Sequence, residues 1–303
     1  MSGRAGTASI LDAIGGTPLI TVDGVHLKCE HLNPSGSVKA RMARHVIARA
    51  ADSGRLRPGD TIVEASSGNT GNAMAMVAAV LGYRMVVVTA AGLSPERTAI
   101  SRAFGAEVVE VGDFHITDAL ALARSLGEQD GWFHPGQFEG EWNVEANASG
   151  LGPEILAALD RAPDAVVCGI GTGGTLVGVG QAFRAVNPSC VLLGVEPAGS
   201  RTLCCGEIGR HRIEGISDGF VPGIVHRHRA EIDDVVAVDD GEALAESARL
   251  VREFGLFVGP STGAHLVAAR HWRAAHPGTT VVTFASDKGE KYLSEQATRV
   301  AAA

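Results

Sequence analysis

One lysine follows a flexible run and begins a helical pattern. The stretch NPSGSVKARM spans residues 33–42, and after Lys39 apolar residues recur at helical spacing, at Met42, Val46 and Ile47. Gly54 marks the expected end of this helix. The helix dipole disfavours a cation in the first turn, so helix stability does not explain this residue. Taken alone, Lys39 is better explained as a surface lysine whose charged end reaches solvent.

A second loop, ASSGNTGN at residues 65–72, joins a predicted strand to a predicted helix. Its hydroxyls, its amide and its glycines can place several donors around an anion such as a carboxylate. The residues concerned are Ser66, Ser67, Gly68, Asn69, Thr70 and Gly71. The alternative is a helix N-cap that has more polar residues than capping requires.

A third loop, GIGTGGT at residues 169–175, also lies between a predicted strand and a predicted helix. Its backbone N–H groups can hold a phosphate. The loop contains GxGxxG, and Glu196 ends the next predicted strand about 20 residues later, where a dinucleotide fold places an acid for the ribose. An NAD-dependent enzyme is therefore one hypothesis, and a structural glycine turn is another.

Two further loops follow predicted strands near the end of the chain. GPSTG at residues 259–263 fits the GxSxG pattern of a nucleophilic serine, but no acid lies between Ser261 and His276, as a hydrolase of that kind requires. We therefore interpret Ser261 as a helix-capping or ligand-loop residue. SDKGEKY at residues 286–292 occupies a position where open α/β sheets bind ligands. The pair His226 and His228 has no partner at metal-ligand spacing, so no metal site is expected.

Composition excludes several classes of function. The 303 residues carry a formal net charge of −8, which argues against a nucleic-acid-binding surface. The five cysteines form no CxxC motif, which is typical of reduced thiols in a cytoplasmic protein. The longest apolar run, at residues 73–81, is too short to span a bilayer, so no membrane partner is expected.

Short β-rich runs alternate with helical patterns along almost the whole chain. The strands include TIVEA, YRMVVVTA, AEVVEV, DAVVCGI, VLLGVEP, GLFVG and TVVTFAS. Helices are predicted at residues 72–81, 95–104, 176–186 and 242–254. This alternation predicts an α/β fold with mostly parallel sheets that are flanked by helices.

In their order and spacing, these motifs resemble the cysteine synthase and cystathionine β-synthase family of pyridoxal-phosphate enzymes, which have the tryptophan-synthase-β fold. The resemblance covers nearly the whole chain and includes IGGTPL, NPSGSVKAR, LRPGDTIVEASSGNTG, ERTAISRAFGAEVV, HPGQFEG, GPEI, GIGTGGT, GVEP, EGISDGF and GEKYLS. It implies a smaller mobile lobe at residues 39–143 and a larger lobe at residues 1–38 and 144–303, with the cofactor between them. It also implies a homodimer that acts on small molecules.

Carried over by position, the resemblance gives Lys39 the role of the Schiff-base lysine. That role needs an amine that has lost its proton, and a helix N-terminus with partial burial lowers the pKa of an amine. Asn69 matches the residue that contacts the ring hydroxyl of the cofactor. The match to the substrate carboxylate site comprises Ser66, Ser67, Gly68, Thr70 and Gln137, and the match to the phosphate site comprises Gly171, Thr172, Gly173, Gly174 and Thr175. A nicotinamide enzyme would leave Lys39 and ASSGNTG unexplained.

Three positions depart from the pattern of the family. Ala40 stands where an aspartate is usual, and GISDGF at residues 215–220 stands where a GIGAGF-like loop is usual. Lys288 stands where the family usually has a serine that hydrogen-bonds the pyridine nitrogen. This contact is therefore expected from Ser286 or Asp287, and the neutral hydroxyl is favoured because the family uses one.

The reaction that the resemblance implies is β-replacement on an activated L-serine through an aminoacrylate. Cysteine formation from O-acetylserine and sulfide is the first hypothesis. Gly215 and Asp218 are expected in the substrate site, where the Asp218 carboxylate would repel hydrosulfide and attract an ammonium group. Synthesis of another β-substituted alanine, such as cystathionine or 2,3-diaminopropionate, is therefore an alternative. An NAD-dependent enzyme and a cofactor-binding or partner-binding protein without turnover are the alternatives from other classes.

Overall fold

Two sheets form the framework of the chain in the computed structural model, which describes residues 8–91, 94–112 and 116–294. The strands are β1 (Leu19–Val22), β2 (Val25–Lys28), β3 (Thr61–Ala65), β4 (Arg84–Ala90), β5 (Glu107–Val111), β6 (Trp132–Phe133), β7 (Ala165–Gly169), β8 (Val191–Pro197), β9 (Asp234–Val238) and β10 (Val281–Phe284). The larger sheet has the order β1-β2-β10-β7-β8-β9, and the smaller has the order β5-β4-β3-β6. Within the described residues, β1 and β2 pair in antiparallel fashion and the other ladders are parallel. The predicted α/β class is confirmed.

Helices connect these strands. They are α1 (Lys39–Asp52), α2 (Asn69–Leu81), α3 (Pro95–Ala103), α4 (Thr117–Gly127), α5 (Glu141–Ala146), α6 (Gly152–Ala157), α7 (Gly174–Arg184), α8 (Thr202–Cys205), α9 (Gly223–Arg227), α10 (Asp240–Phe254) and α11 (Pro260–Ala275). None of the helices in the described part of the chain is both long enough and apolar enough to cross a membrane.

Neighbouring residues of β3 belong to two different cores. Ile62 belongs to the core that contains Met42 and Ile47 of α1, whereas Val63 belongs to the core that contains Leu120 of α4. Adjacent side chains of a strand point to opposite faces, so the smaller sheet is covered by helices on both faces. This explains why every residue of TIVEA is buried instead of alternating between core and solvent.

The predicted element boundaries agree with the structure to within about three residues, with one exception. Helix α1 begins at Lys39 and ends two residues before Gly54, which has the left-handed φ of 73°. The segment GLFVG, predicted as a strand, forms only an isolated bridge between Val258 and Lys288. That prediction is wrong, because Gly255 ends α10 and Pro260 already begins α11, which leaves too few residues for a ladder.

The start of α1 is joined to the end of β10. The Val38 N–H donates to the Ser286 carbonyl oxygen over 2.9 Å, and Ser37 forms a bridge with Asp287. Lys39 is thereby held beside the carboxyl ends of parallel strands, which is where α/β sheets bind ligands. The four-stranded sheet lies inside the range predicted for the smaller lobe, residues 39–143, although those exact lobe boundaries stay a prediction.

Candidate active site

The Lys39 side chain is partly exposed and lines two adjoining cavities. Burial lowers the pKa of its amine, while Cys168, Asp218 and Asp287 act in the opposite direction. Among the described residues, none accepts a hydrogen bond from this amine. An amine with a lowered pKa and no protein acceptor is suited to attack a carbonyl carbon or to take a proton.

The loop between β7 and α7 lines the first cavity, which we call the glycine-loop cavity. Its lining includes Lys39, Asn69, Gly171, Thr172, Gly173, Thr175, Gly215, Ser261 and Ser286. Gly173 has a φ of 86°, a conformation that favours glycine, and a Cβ on Gly171 would lie 2.8 Å from the Gly215 carbonyl oxygen. The first N–H groups of α7 lack acceptors within the helix, so this wall is suited to a phosphate.

Two of the residues expected in the phosphate site, Thr172 and Gly174, lie against Asn143. The Thr172 hydroxyl oxygen accepts a hydrogen bond from the Asn143 amide over 2.9 Å, although Thr172 lines both cavities. Gly174 lines neither cavity, and its missing side chain makes room for Asn143. Of the five expected residues, Gly171, Thr172, Gly173 and Thr175 therefore reach the cavity.

Three hydroxyl groups that line the glycine-loop cavity make no side-chain hydrogen bond to any described residue. They belong to Thr175, Ser261 and Ser286. Lys288 lines neither cavity, which agrees with its departure from the family pattern. The sequence predicts Ser261 only as a capping or ligand-loop residue, and its place in GPSTG at the start of α11 is the signal for its position here.

The second cavity, the serine-loop cavity, lies beside the start of α2. Its lining includes Ser66, Ser67, Asn69, Thr70, Arg97, Gln137, Phe138 and Asp218, together with Lys39. The Ser66 hydroxyl oxygen accepts hydrogen bonds from the N–H groups of Gly68 and Gly71 over 3.0 and 2.9 Å. The Thr70 hydroxyl donates to the Gln137 side-chain oxygen over 2.5 Å. These bonds fix the loop and use the Gly71 N–H, so the N–H groups of Asn69 and Thr70 are the ones at the start of α2 that can bind a carboxylate.

The Asn69 side chain is held by charged groups on both sides. Its oxygen accepts a hydrogen bond from the Lys291 amine over 2.6 Å, and its nitrogen donates to the Asp287 carboxylate over 2.7 Å. The Tyr292 hydroxyl donates to the same Asp287 oxygen over 2.5 Å. Asp287 contacts Asn69 and lines neither cavity. Of the two residues expected near the ring nitrogen, Ser286 is the one that lines the glycine-loop cavity.

Asp218 lines the serine-loop cavity next to a strained residue. Burial raises the pKa of Asp218, and Lys39, His211 and Arg97 act in the opposite direction. The preceding residue, Ser217, has a φ of 57°, which costs about 1–3 kcal/mol outside glycine. Its hydroxyl donates to the Ser200 carbonyl oxygen over 3.0 Å, so neighbouring backbone holds the strained conformation that directs Asp218.

Arg97 is a central residue of this site that the sequence reasoning missed. It is only 2% exposed, its guanidinium forms an ion pair with Glu214 over 2.6 Å, and it donates to the Ser67 carbonyl oxygen over 3.1 Å. Its guanidinium carbon also lies 4.7 Å from the centre of the Tyr292 ring. A side chain at Gly68 would clash with Arg97, so this glycine is the one local signal of the contact.

The described residues do not supply the ribose contact of an NAD-dependent enzyme or the ligands of a metal site. Glu196, the acid expected for a ribose, is fully buried, and its carboxylate accepts hydrogen bonds from the N–H groups of Leu203 and Cys204. In residues 8–91, 94–112 and 116–294, no group of three or more histidine, cysteine or acidic side chains can hold a metal ion. His228 of the HxH pair contacts Glu231 and Glu141 instead.

Known proteins resemble this chain over most of its length. The family described as pyridoxal-phosphate dependent enzyme matches residues 10–287. A cysteine synthase of Staphylococcus aureus is 38% identical over 298 residues, which cover 94% of this chain and 95% of the relative. An O-ureido-L-serine synthase of Streptomyces lavendulae is 40% identical over 296 residues, which cover 94% and 91%. The crystal structure of an O-acetylserine dependent cystathionine beta-synthase from Helicobacter pylori superimposes with a TM-score of 0.90 at 34% identity, covering 95% of this chain and 97% of that one.

Proposed function

The chain belongs to the family of pyridoxal-phosphate dependent enzymes, and from this premise we propose which groups bind its cofactor and which substrates it selects. It is an enzyme of pyridoxal-phosphate-dependent β-replacement on serine derivatives. Our specific proposal is that it is cysteine synthase-like, replacing the acetyl-type leaving group of an O-acetyl-L-serine with a thiol. The observation that carries it is the Lys39 amine, which has no acceptor among the described residues and lies between a phosphate-type loop and a carboxylate-type loop.

The residues of the glycine-loop cavity fit this cofactor. Backbone N–H groups near Gly171 and Gly173, with the Thr175 hydroxyl, would hold the phosphate. Asn69 would contact the ring hydroxyl, and Ser261 or Ser286 would contact the ring nitrogen. When bound, the cofactor supplies an aldehyde for a Schiff base with Lys39 and an electron sink for the substrate α-carbon.

The remaining catalytic work belongs to side chains of the chain itself. The serine loop and Gln137 would bind the substrate carboxylate and so orient the α-carbon toward Lys39. The Lys39 amine, whose pKa is lowered by burial, would take the α-proton as general base. A β-substituent held in this orientation would lie in the cavity that Asp218 lines.

Asp218 would select an uncharged nucleophile. A carboxylate about 5 Å from an incoming anion repels it by roughly 3 kcal/mol at an effective dielectric near 20, which disfavours hydrosulfide and a phosphate leaving group. A neutral thiol avoids this repulsion, and Asp218 can take its proton as the sulfur attacks. Burial raises the pKa of Asp218, which brings this carboxylate closer to the pKa that suits a general base.

The same carboxylate favours a second candidate within the class. An ammonium-bearing nucleophile would be attracted to Asp218, so synthesis of a β-substituted alanine such as cystathionine or 2,3-diaminopropionate is the alternative. The two candidates differ in the nucleophile and share the roles of Lys39, Asn69 and the glycine loop.

Homodimeric assembly and a cytoplasmic location are also part of the proposal. The resemblance supports both, and an exposed apolar groove supports the dimer, because such a surface is typical of a protein interface. The groove is lined by Ile10, Pro34, Met76, Ala79, Val80 and Phe104. Sedimentation velocity of the purified protein should give the mass of a dimer, and Val80→Glu should shift it toward the mass of a monomer.

The test of the main proposal is a matrix of substrates. O-acetyl-L-serine, O-phospho-L-serine and L-serine are each incubated with sulfide, homocysteine or an amine, and the amino-acid products are identified by mass spectrometry. We expect O-acetyl-L-serine to be the best donor and sulfide, reacting as neutral H2S, to be the best acceptor. Equal or better turnover of O-phospho-L-serine would refute the role of Asp218, and a preference for homocysteine or an amine over sulfide would support the second candidate.

A further inference from the structure

Two adjacent cysteines lie outside both cavities, at the end of α8. Cys204 and Cys205 are exposed, and their sulfur atoms are 2.8 Å apart. The other three cysteines, Cys29, Cys168 and Cys190, are buried, and burial raises the pKa of their thiols to about 11, 12 and 12. Because a reagent in solution can reach exposed sulfur atoms and not buried ones, Cys204 and Cys205 are the pair open to thiol chemistry.

We propose that Cys204 and Cys205 are a modification site, at which a low-molecular-weight disulfide oxidises the pair to a reversible vicinal disulfide that lowers the activity of the enzyme. In this exchange, the low-molecular-weight disulfide RSSR loses its S–S bond and is reduced to two RSH. The two protein thiols lose two protons and two electrons and form one S–S bond. No other oxidant is needed.

The order of the two steps follows from the contact between the thiols. The hydrogen bond with Cys205, reinforced by Glu196, raises the pKa of Cys204 to about 12. Because Cys204 is held as a thiol, Cys205 makes the first attack on one sulfur of RSSR and releases the first RSH, leaving a mixed disulfide on Cys205. Cys204 then loses its proton and attacks the Cys205 sulfur, which releases the second RSH.

The backbone makes the resulting bond easy to reduce. The α-carbons of adjacent residues are about 3.8 Å apart, whereas disulfides prefer roughly 4.4–6.8 Å. Closing the ring therefore distorts the peptide between Cys204 and Cys205, and it unwinds a helix of only four residues. Strained and exposed disulfides have the higher reduction potentials that are typical of labile, regulatory bonds.

Helix α8 is connected to the residues that direct Asp218. The N–H groups of Leu203 and Cys204 donate to the fully buried Glu196 carboxylate over 2.8 and 3.3 Å. The Thr202 hydroxyl lies 3.5 Å from the hydroxyl of Ser217, the strained residue before Asp218. Unwinding α8 removes donors from a buried carboxylate and disturbs this contact, so the effect of oxidation reaches the serine-loop cavity.

The experiment treats the holoenzyme with bis(2-hydroxyethyl) disulfide and then analyses its peptides by mass spectrometry without reduction. We expect the peptide that contains both cysteines to lose two hydrogens and to regain them with excess 2-mercaptoethanol. In parallel, kcat/KM with O-acetyl-L-serine should fall by between about two- and thirtyfold, which is the range of coupling through neighbouring packed groups, and should recover on reduction.

Variants of the two cysteines distinguish the first exchange step from the second. Cys204→Ser should stop at a mixed disulfide on Cys205, whereas Cys205→Ser should react more slowly, and the double variant should keep its activity in the presence of the disulfide. Stable mixed disulfides on both wild-type residues, or a vicinal disulfide with unchanged kcat/KM, would overturn the proposal. The activity measurement rests on the proposed function, but the peptide mass does not, so a failure of the substrate proposal is recognised separately. In that case, the response of the bound cofactor's visible absorption to activated serines replaces kcat/KM.

Discussion

The glycine-loop and serine-loop cavities share Lys39 but differ in the chemical groups that line them. The first is lined largely by backbone and by neutral hydroxyls, including those of Thr175 and Ser261. The second carries charged side chains, with Arg97 and Asp218 on its lining. A wall of backbone and hydroxyl groups recognises an invariant ligand by shape and hydrogen bonds, whereas charges discriminate between ligands. The difference indicates that the first cavity is built for the cofactor and the second for substrate selection.

The largest effect is expected from the residue that the two cavities share. Lys39→Ala removes the amine but leaves both walls in place, so it should bind cofactor noncovalently and lose roughly 10³-fold or more in kcat. Turnover and the absorption of the bound cofactor are the measurements. Lys288→Ala, which changes a lysine outside both cavities, is the matched control. Activity of Lys39→Ala within about tenfold of the control would contradict the assignment.

A change to the wall of the glycine-loop cavity should act on the cofactor alone. Thr175→Val keeps the shape of the side chain but removes a hydroxyl that would bond a charged phosphate. A hydrogen bond to a charged group contributes about 1.5–3 kcal/mol, so cofactor affinity should fall roughly ten- to hundredfold. Equilibrium titration of the apoenzyme measures this, with Thr175→Ser as the control. An equal loss for Thr175→Ser would show that the methyl group, and not the hydroxyl, matters.

A change to the serine-loop cavity should alter selectivity and leave cofactor affinity unchanged. Asp218→Asn removes the charge at nearly constant volume, and it should improve hydrosulfide relative to a neutral thiol by about tenfold in kcat/KM, a fraction of the unscreened repulsion. The pH profile gives a second measure. Because the pKa of Asp218 is raised, wild-type activity that depends on its ionised form should increase as the pH rises through that value. Asp218→Asn should lack this acid limb, and an unchanged nucleophile ratio would remove Asp218 from selection.

The two walls were not equally predictable from the sequence. GIGTGGT encodes its own conformation, because glycine at Gly173 permits a left-handed φ and the helix follows directly, so its role is a local property. The ion pair of Arg97 with Glu214 joins two distant segments and has no local pattern. The bond between Asn69 and Asp287 likewise joins segments that are 218 residues apart in the sequence. Local chemistry therefore predicted the loops, whereas the partners of the charged groups depended on the tertiary fold.

The smallest effect is expected at the residue that contacts the ring nitrogen of the cofactor. This prediction tests whether neutral groups make that contact in the glycine-loop cavity. Ser261 and Ser286 both present hydroxyls that bond no other described residue, whereas the Asp287 carboxylate accepts hydrogen bonds from Asn69 and Tyr292. We expect Ser261→Ala to weaken cofactor binding about fivefold, which corresponds to one neutral hydrogen bond of about 1 kcal/mol. The Ser286 backbone already bonds Val38 and Thr262, so this residue is fixed at the end of β10, and Ser286→Ala should have the smaller effect. Titration of the two apoenzymes under identical conditions measures the difference. A larger loss for Ser286→Ala would transfer the contact to Ser286, and no loss in either variant would mean that the ring nitrogen has no hydroxyl partner.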